Sequence, residues 1–134
     1  MIVIKNKFIP FKGYETINLF GVLFTRGNVD EIELNHEKIH TEQIFDCFII
    51  GIFIILGICF SFKFSICWIL LSPCTFYVLY GLEYLAIRAF HKKQGDAYHD
   101  VSFEEEAYNN ESNLNYIQTR IPFVWIKYIK IKSN

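Results

Sequence analysis

The sequence predicts a mainly α membrane protein, in which a helical transmembrane hairpin is flanked by a small cytoplasmic α+β part. Of its 134 residues, 52% are hydrophobic, and these include 14 Phe and 8 Tyr. Much of this apolarity lies in one block between Cys47 and Ala86, which a soluble domain of this length could not bury. The length predicts a single domain over residues 1–134. A buried, soluble helix pair is the alternative to the membrane hairpin.

Residues 1–29 are predicted to form a β-like segment that contains a β-hairpin. The stretch YETINLFGVLFTRG has apolar residues in partial alternation, a central Gly21 and a closing RGN turn, which is typical of short strands. One hairpin, or a strand pair with a bend at Gly21, fits this pattern. Pro10 is expected to break any strand that begins in MIVIK.

One helix is predicted over residues 30–62, and it continues from a polar start into the first membrane segment. Asp30 and Glu33 have the spacing of a capping box. Residues 47–62 give 16 uncharged residues in a row, fewer than the roughly 20 that span the hydrocarbon of a bilayer. An earlier start lengthens this run but includes Asp46.

A second membrane helix is predicted over residues 64–90, so that Lys63 marks the tip of the hairpin. Pro73 lies inside this second run. Basic residues precede and follow the hairpin, whereas Lys63 stands alone at the tip. They are Lys5, Lys7, Lys12, Arg26, Arg88, Lys92 and Lys93. By the positive-inside rule, both termini are expected in the cytoplasm.

A helix over residues 102–118 and a basic, aromatic tail over residues 121–134 are predicted to complete the chain. Ser102 and Glu105 have the spacing of another capping box, and Pro122 is expected to end the helix. The tail alternates aromatic, aliphatic and basic residues, which fits either a final strand or a strip on the membrane surface.

The stretch NHEKIH, near the start of the first helix, has the residues of a metal site. His36 and His40 are four residues apart and share one face of a helix, so both imidazoles can bind one ion. Glu37 can reach an activated water without binding the metal, and this pattern is typical of zinc hydrolases with a catalytic glutamate. A solvated helix turn with two ordinary histidines is the alternative.

A catalytic zinc site needs a third protein ligand. The candidates are His91, His99, Glu104, Glu105 and Glu106. A hairpin of two spans returns the chain to the side that it left. The helix at residues 102–118 and the NHEKIH helix are therefore expected on the same face of the bilayer, where one site can form between them.

HEKIH, a membrane segment and then EEEA resemble the gluzincin pattern HExxH…ExxA. Membrane zincins of the CAAX-prenyl-protease and HtpX type, and the BlaR/MecR sensor proteases, show this pattern. The resemblance implies a zincin-like cytoplasmic part, zinc as the cofactor, Glu104 as the third ligand and Ala107 as the small residue. Those families continue with an aspartate where this chain has Tyr108. Glu106 remains the rival ligand.

A closer resemblance is to small bacterial membrane proteins of the Bacteroidetes type, which share INLFG, NHExIHxxQ and YxxxSFExEAYxNE. These motifs lie here at residues 17–21, 35–43 and 98–111, so the resemblance covers most of the chain. It implies the bacterial inner (cytoplasmic) membrane and favours a zincin-like site, and it carries no established substrate.

Further residues are candidates for roles around the metal. Gln43, seven residues after His36, is expected on the metal-facing side as a hydrogen-bond donor. Glu106, if it is not a ligand, is expected to hold a histidine. Donors to the oxyanion of a tetrahedral intermediate are sought among Tyr98, His99 and Tyr108. Glu83 and Asp46 have either a functional role or ordinary contacts near the membrane interface.

These predictions together favour a membrane-anchored zinc metallopeptidase, in which a metal-activated water attacks a peptide bond. Its partners would be the lipid bilayer and a peptide or protein substrate, which can itself be membrane-associated. Residues 17–25 offer an edge strand with which such a peptide can pair. The alternatives are a non-enzymatic membrane protein with a structural or vestigial zinc site, and a zinc hydrolase of non-peptide substrates. A net charge of -1 gives no indication of nucleic-acid binding.

Overall fold

The structure is a computed structural model that describes residues 1–9, 15–90 and 97–129. Its strands are β1 (Ile2–Lys5), β2 (Thr16–Leu19) and β3 (Val22–Thr25). Its α-helices are α1 (Glu31–Phe62), α2 (Thr75–Phe90), α3 (Ser102–Asn110) and α4 (Tyr116–Thr119), and two 3-10 segments are Ile66–Cys74 and Val124–Tyr128. The prediction of a mainly helical chain with a small sheet and two long apolar helices is confirmed.

The three strands form one sheet in the order β1-β3-β2. β2 and β3 pair antiparallel as a hairpin around Gly21. The turn residues Phe20 and Gly21 have φ angles of 53° and 83°. A two-residue hairpin turn whose twist matches that of the strands requires positive φ angles at both positions. β1 pairs parallel with β3, a pairing that was not predicted. β1 ends at Lys5, ahead of Pro10, which lies outside the described residues.

α1 begins at a capped turn and continues to the tip of the hairpin. The Asp30 side chain accepts a hydrogen bond of 2.8 Å from the Glu33 N–H, which satisfies one free donor of the first turn. The helix has 32 residues, so it is about 48 Å long. Lys63 follows in the left-handed conformation with a φ of 54°, and the chain then turns back.

The second arm of the hairpin differs from the single helix predicted over residues 64–90. It begins as the 3-10 segment Ile66–Cys74 and becomes α-helical only in α2. Pro73 lies inside the 3-10 segment and explains the difference, because proline lacks an N–H and its ring clashes with the preceding α-helical turn. The arms touch at Gly51, where an added Cβ would lie 2.9 Å from the Ser72 carbonyl oxygen. Both arms are long and apolar enough to cross a membrane.

The single helix predicted over residues 102–118 is two helices in the structure. α3 ends at Asn110 and α4 begins only at Tyr116. Four asparagines lie within residues 109–115, and asparagine favours turns because its side chain competes for backbone hydrogen bonds. The predicted helix was therefore too long.

α3 is capped by α2 and not by its own first residues. Ser102 and Glu105 were expected to form a capping box, but Val101 occupies the cap position and makes no side-chain hydrogen bond there. The Glu83 carboxylate of α2 accepts hydrogen bonds from the Ser102 N–H at 3.0 Å and from the Ser102 hydroxyl at 2.7 Å. Glu83 therefore joins the helical hairpin to α3.

The base of the hairpin and the C-terminal part share one hydrophobic core. Its buried members are Ile44, Cys47, Phe76, Val101, Phe103 and Trp125. Trp125 lies in the 3-10 segment of the tail, and its ring centroid is 4.5 Å from that of Phe103. The prediction of a strand is therefore wrong for the tail up to residue 129, because Val124–Tyr128 forms a 3-10 segment that Trp125 anchors in the core. A strip on the membrane surface stays a prediction. Residues 130–134 lie outside the described part of the chain.

Candidate metal centre

Three buried side chains converge between α1 and α3. His36 and His40 lie one turn apart on α1, and their Nε2 atoms are 3.0 Å apart. Glu104 lies in the first turn of α3, with Oε2 3.4 Å from His36 Nε2 and Oε1 3.4 Å from His40 Nε2. The three residues are 8%, 7% and 2% exposed. His91, another candidate ligand, lies outside the described residues.

Each histidine is held through its other ring nitrogen. His36 Nδ1 lies 2.8 Å from Glu111 Oε2, and His40 Nδ1 lies 2.8 Å from the side-chain oxygen of Gln43. Since both partners are acceptors, both Nδ1 atoms donate a proton, and the Nε2 atoms are left to face Glu104. Proteins commonly fix metal-binding histidines in this way.

The electrostatics of the centre favour positive charge between the three side chains. Burial alone would raise the pKa of Glu104, but the close imidazoles of His36 and His40 outweigh burial and hold this pKa well below its usual range. Burial lowers the pKa of His40, but the Glu104 carboxylate outweighs burial and raises this pKa to about 9. Glu104 is therefore an anion that draws positive charge to this point.

The three side chains fit a metal ion. Glu104 Oε2 is buried and accepts no hydrogen bond from any residue in the described part of the chain. The two imidazole nitrogens and the carboxylate oxygen all lie within 4.8 Å of one another. Ligand atoms around tetrahedral zinc are about 3.3 Å apart for bonds of about 2.0–2.1 Å, and the spacings here are 3.0 Å and 3.4 Å. The group can therefore hold a metal ion.

Gln43 links the metal centre to a second buried network. Its amide nitrogen donates to the Phe103 carbonyl oxygen at 2.9 Å and to Glu106 Oε2 at 3.0 Å. These two acceptors fix the amide so that its oxygen faces His40. Gln43 was predicted to donate a hydrogen bond at the centre, but it accepts one there and donates away from it.

Glu106, the rival third ligand, is engaged elsewhere. Its carboxylate accepts hydrogen bonds from Arg120 at 2.6 Å and 3.2 Å and from the Tyr116 hydroxyl at 3.1 Å. Arg120 also donates to Asp46 at 2.9 Å, and Asp46 accepts a further bond of 2.8 Å from the Phe123 N–H. Asp46 and Glu106 are therefore the buried counter-ions of Arg120, and they tie α1 and α3 to the chain after α4.

The aromatic candidates lie at the rim of the centre. The ring centroid of Tyr108 is 4.7 Å from that of His36 and 4.5 Å from that of His99, so Tyr108 lies between His99 and the metal centre. The Tyr98 ring is 5.5 Å from His99. Burial and the charge of Glu104 raise the pKa of Tyr98. Its hydroxyl therefore stays protonated at neutral pH and can donate a hydrogen bond.

Three residues that hold the centre were missed in the sequence. Glu111 follows Glu104 by seven residues, which corresponds to two helical turns on one face, and this spacing could have identified it. Tyr80 of α2 donates to Glu104 Oε1 at 3.0 Å. Neither Tyr80 nor Arg120 carries any local signal, because only the tertiary fold brings them to the centre.

Glu37 lies where two cavities meet beside the metal centre. The first, of about 370 Å³, lies along β2 and α2 and reaches His40 and Glu104. The second, of about 300 Å³, lies beside the first turns of α1. The residues that line both are Thr16, Glu37 and Tyr98. The two cavities therefore adjoin at Glu37, and together they are called the cleft.

The surroundings of Glu37 suit a proton acceptor. Burial raises the pKa of its carboxyl group, and the charges of His40 and His36 offset only part of this effect. A carboxylate with a raised pKa accepts protons more readily near neutral pH. The Asn18 side chain of β2 donates to the Glu37 carbonyl oxygen at 2.8 Å, which fixes β2 against this turn of α1.

No protein-family model, curated protein or solved structure matches this chain. The function is therefore inferred from the metal centre and the cleft beside it.

Proposed function

We propose that the protein is a membrane-anchored, zinc-dependent peptidase. The observation that carries this proposal is the convergence of His36, His40 and Glu104 at spacings of 3.0 Å and 3.4 Å, beside a glutamate that opens onto a cleft. A purely structural metal site would not need Glu37 at the junction of two cavities. The zincin-like resemblance of the HEKIH and EEEA motifs points the same way.

Zinc is the metal that this donor set suits best. Two imidazole nitrogens and one carboxylate oxygen are the ligands of many catalytic zinc sites, which leave a fourth position open. The Nδ1 hydrogen bonds to Glu111 and Gln43 would orient the imidazoles and raise their basicity. When bound, zinc would lower the pKa of a water molecule and polarise a peptide carbonyl group.

Glu37 and Tyr98 would supply the proton chemistry. Glu37 accepts a proton from the attacking water and later returns it to the leaving amine, which its raised pKa favours. Tyr98 lines both cavities and keeps its proton. It is therefore placed to donate a hydrogen bond to the oxyanion that forms at the substrate carbonyl.

β2 would bind the substrate backbone. Among the described strands it lies at one edge of the sheet, and all four of its residues line the larger cavity. An extended peptide that pairs with such an edge gains main-chain hydrogen bonds, and its side chains enter the neighbouring pockets. This arrangement would hold a peptide bond over Glu37.

The membrane hairpin would place the metal centre at the membrane surface. α1 carries both histidines and continues into the apolar arm, and the base of the hairpin shares its core with α3. The basic residues at both ends of the chain favour cytoplasmic termini. We therefore assign the centre to the cytoplasmic face of the bacterial inner membrane.

Zinc content and peptide cleavage together test this function. The full chain in detergent should bind one zinc ion and cleave members of a peptide library. Glu37→Gln should keep the zinc and lose at least about 100-fold in turnover, because the amide cannot act as a base. His40→Ala should lose the zinc itself, since two ligands hold the metal poorly.

Glu42→Gln is the matched control for Glu37→Gln, because it changes an acid on the same helix that does not line the cleft. It should keep both zinc and activity. Full zinc occupancy without cleavage of any peptide would favour a structural metal site. Absence of zinc after loading at neutral pH would refute the proposal.

A further inference from the structure

The cleft beside the metal centre has two halves of opposite character. The larger cavity is apolar, and its lining includes Leu19 of β2 together with Phe76, Tyr77 and Tyr80 of α2. The smaller cavity is acidic, and its lining includes Asp30, Glu33 and Glu111, with no lysine or arginine among its described residues. A peptide that crosses Glu37 therefore meets an apolar surface on one side and negative charge on the other.

The direction of β2 determines which end of a bound peptide would enter each cavity. Thr16, at the start of the strand, lines both cavities, whereas Leu19, at its end, lines only the apolar one. Antiparallel pairing is slightly more stable per residue than parallel pairing. A peptide paired antiparallel to β2 would therefore run from the apolar cavity, past Glu37, into the acidic cavity.

Of the two cavities, the apolar one lies nearer to the membrane hairpin. Phe76 and Tyr77 begin α2, directly after the 3-10 segment that descends from the hairpin tip. The Tyr77 hydroxyl accepts a hydrogen bond of 2.8 Å from the Phe20 N–H, so the β-hairpin tip and the membrane hairpin meet here. The apolar cavity is thus on the membrane side of Glu37, and the acidic cavity lies away from it.

Resting on the proposed function, we propose that the substrate class is peptides with apolar residues before the scissile bond and a lysine or arginine shortly after it. The apolar residues occupy the cavity beside Phe76 and Tyr80. The basic side chain occupies the cavity beside Asp30 and Glu33. The cytoplasmic flank of a transmembrane segment, where apolar sequence gives way to basic residues, has this chemistry.

Peptide binding tests the proposal without depending on turnover. The probes are three fluorescein-labelled decapeptides: apolar then arginine-containing, the same residues in reverse order, and apolar then glutamate-containing. Each is titrated by fluorescence anisotropy into the zinc-loaded, full-length Glu37→Gln protein in detergent micelles. The apolar-then-basic peptide should bind at least about tenfold tighter than the other two.

Charge reversal in the acidic cavity identifies the residue responsible. Glu33→Lys should remove the preference for arginine over glutamate. Glu31→Lys is the matched control, because it makes the same change in the first turn of α1 at an exposed residue that does not line the cavity. Glu31→Lys should leave the preference unchanged.

Failure of this inference is distinguishable from failure of the proposed function. Equal affinity for the three peptides, or no binding of any, overturns the inference, as does an equal effect of the two charge reversals. Mass spectrometry of peptides incubated with the wild-type protein reports cleavage separately. Ordered binding without cleavage retains the inference and removes the peptidase, whereas cleavage regardless of residue order retains the peptidase alone.

Discussion

Glu111 shows how one residue outside the ligand set can tune the metal centre. Its carboxylate lies 2.8 Å from His36 Nδ1, where a negative charge makes the imidazole a stronger ligand. Glu111→Gln keeps an acceptor oxygen but loses the charge. We expect zinc affinity to fall by about 10- to 100-fold, measured by competition with a chromophoric chelator.

Glu31→Gln serves as the control for Glu111→Gln, since Glu31 is an exposed acid that is not part of the metal-ligand group. Its zinc affinity should match that of the wild type. If Glu111→Gln also bound zinc as tightly as the wild type, the carboxylate would have only a packing role, and the orientation of His36 would depend on other contacts.

At the scale of elements, the contact of α2 with the start of α3 decides where Glu104 lies. Glu83 accepts hydrogen bonds from both the N–H and the hydroxyl of Ser102. Ser102 lies two residues before Glu104. Glu83→Gln removes the charge that strengthens these two bonds, and neutral bonds are about half as strong, so we expect a cost of about 1–2 kcal/mol. The melting temperature should fall, and the further rise that zinc produces should shrink, because α3 no longer holds Glu104 in place.

Ser102→Ala and Glu42→Gln control for the effect of Glu83→Gln. Ser102→Ala removes the hydroxyl bond and keeps the N–H bond, so its effect should be no larger than that of Glu83→Gln. Glu42→Gln should change the melting temperature neither with nor without zinc. An equal fall with and without zinc for Glu83→Gln would show that Glu83 stabilises the fold without positioning the ligand.

The elements that local sequence specifies are those that the sequence predicted. Asp30 caps α1 by a hydrogen bond within the first turn, and Gly21 permits the hairpin turn by its own backbone freedom. The second arm and α3 were less predictable. The apolarity of residues 66–74 predicts a membrane segment but does not distinguish a 3-10 helix from an α-helix. The capping spacing at Ser102 is overridden by Glu83 from another element.

At the scale of the whole molecule, the sequence predicted the candidate metal ligands better than the residues that hold those ligands in place. The spacing of His36 and His40 is a property of one helix, and the return of the chain along the second apolar arm explains why Glu104 can reach them. Arg120 could not be predicted in this way, because Asp46 and Glu106 need a counter-ion only after folding buries them. A buried carboxylate must be paired, yet nothing local tells which arginine pairs with it.

The last prediction concerns the placement of the whole molecule in the bilayer. Lys63 at the hairpin tip should face the periplasm, whereas residue 15, beside β2, should face the cytoplasm. Residues 47–62 give about 24 Å of helix, somewhat less than the roughly 30 Å of hydrocarbon. Asp46 closes this run at the end opposite Lys63, where Arg120 neutralises it. The long Lys63 side chain can extend to the opposite surface, and local thinning of the bilayer can cover the remainder.

Labelling with a membrane-impermeant maleimide checks this placement. The background is a variant in which alanine replaces the four free cysteines, Cys47, Cys59, Cys67 and Cys74. Lys63→Cys should react in intact spheroplasts, and Glu15→Cys should react only after the membrane is permeabilised. If both cysteines reacted only after permeabilisation, the hairpin would enter the bilayer without crossing it. The contacts between α2 and α3 would still bring Glu104 to the histidines, but anchoring by two full spans would be excluded.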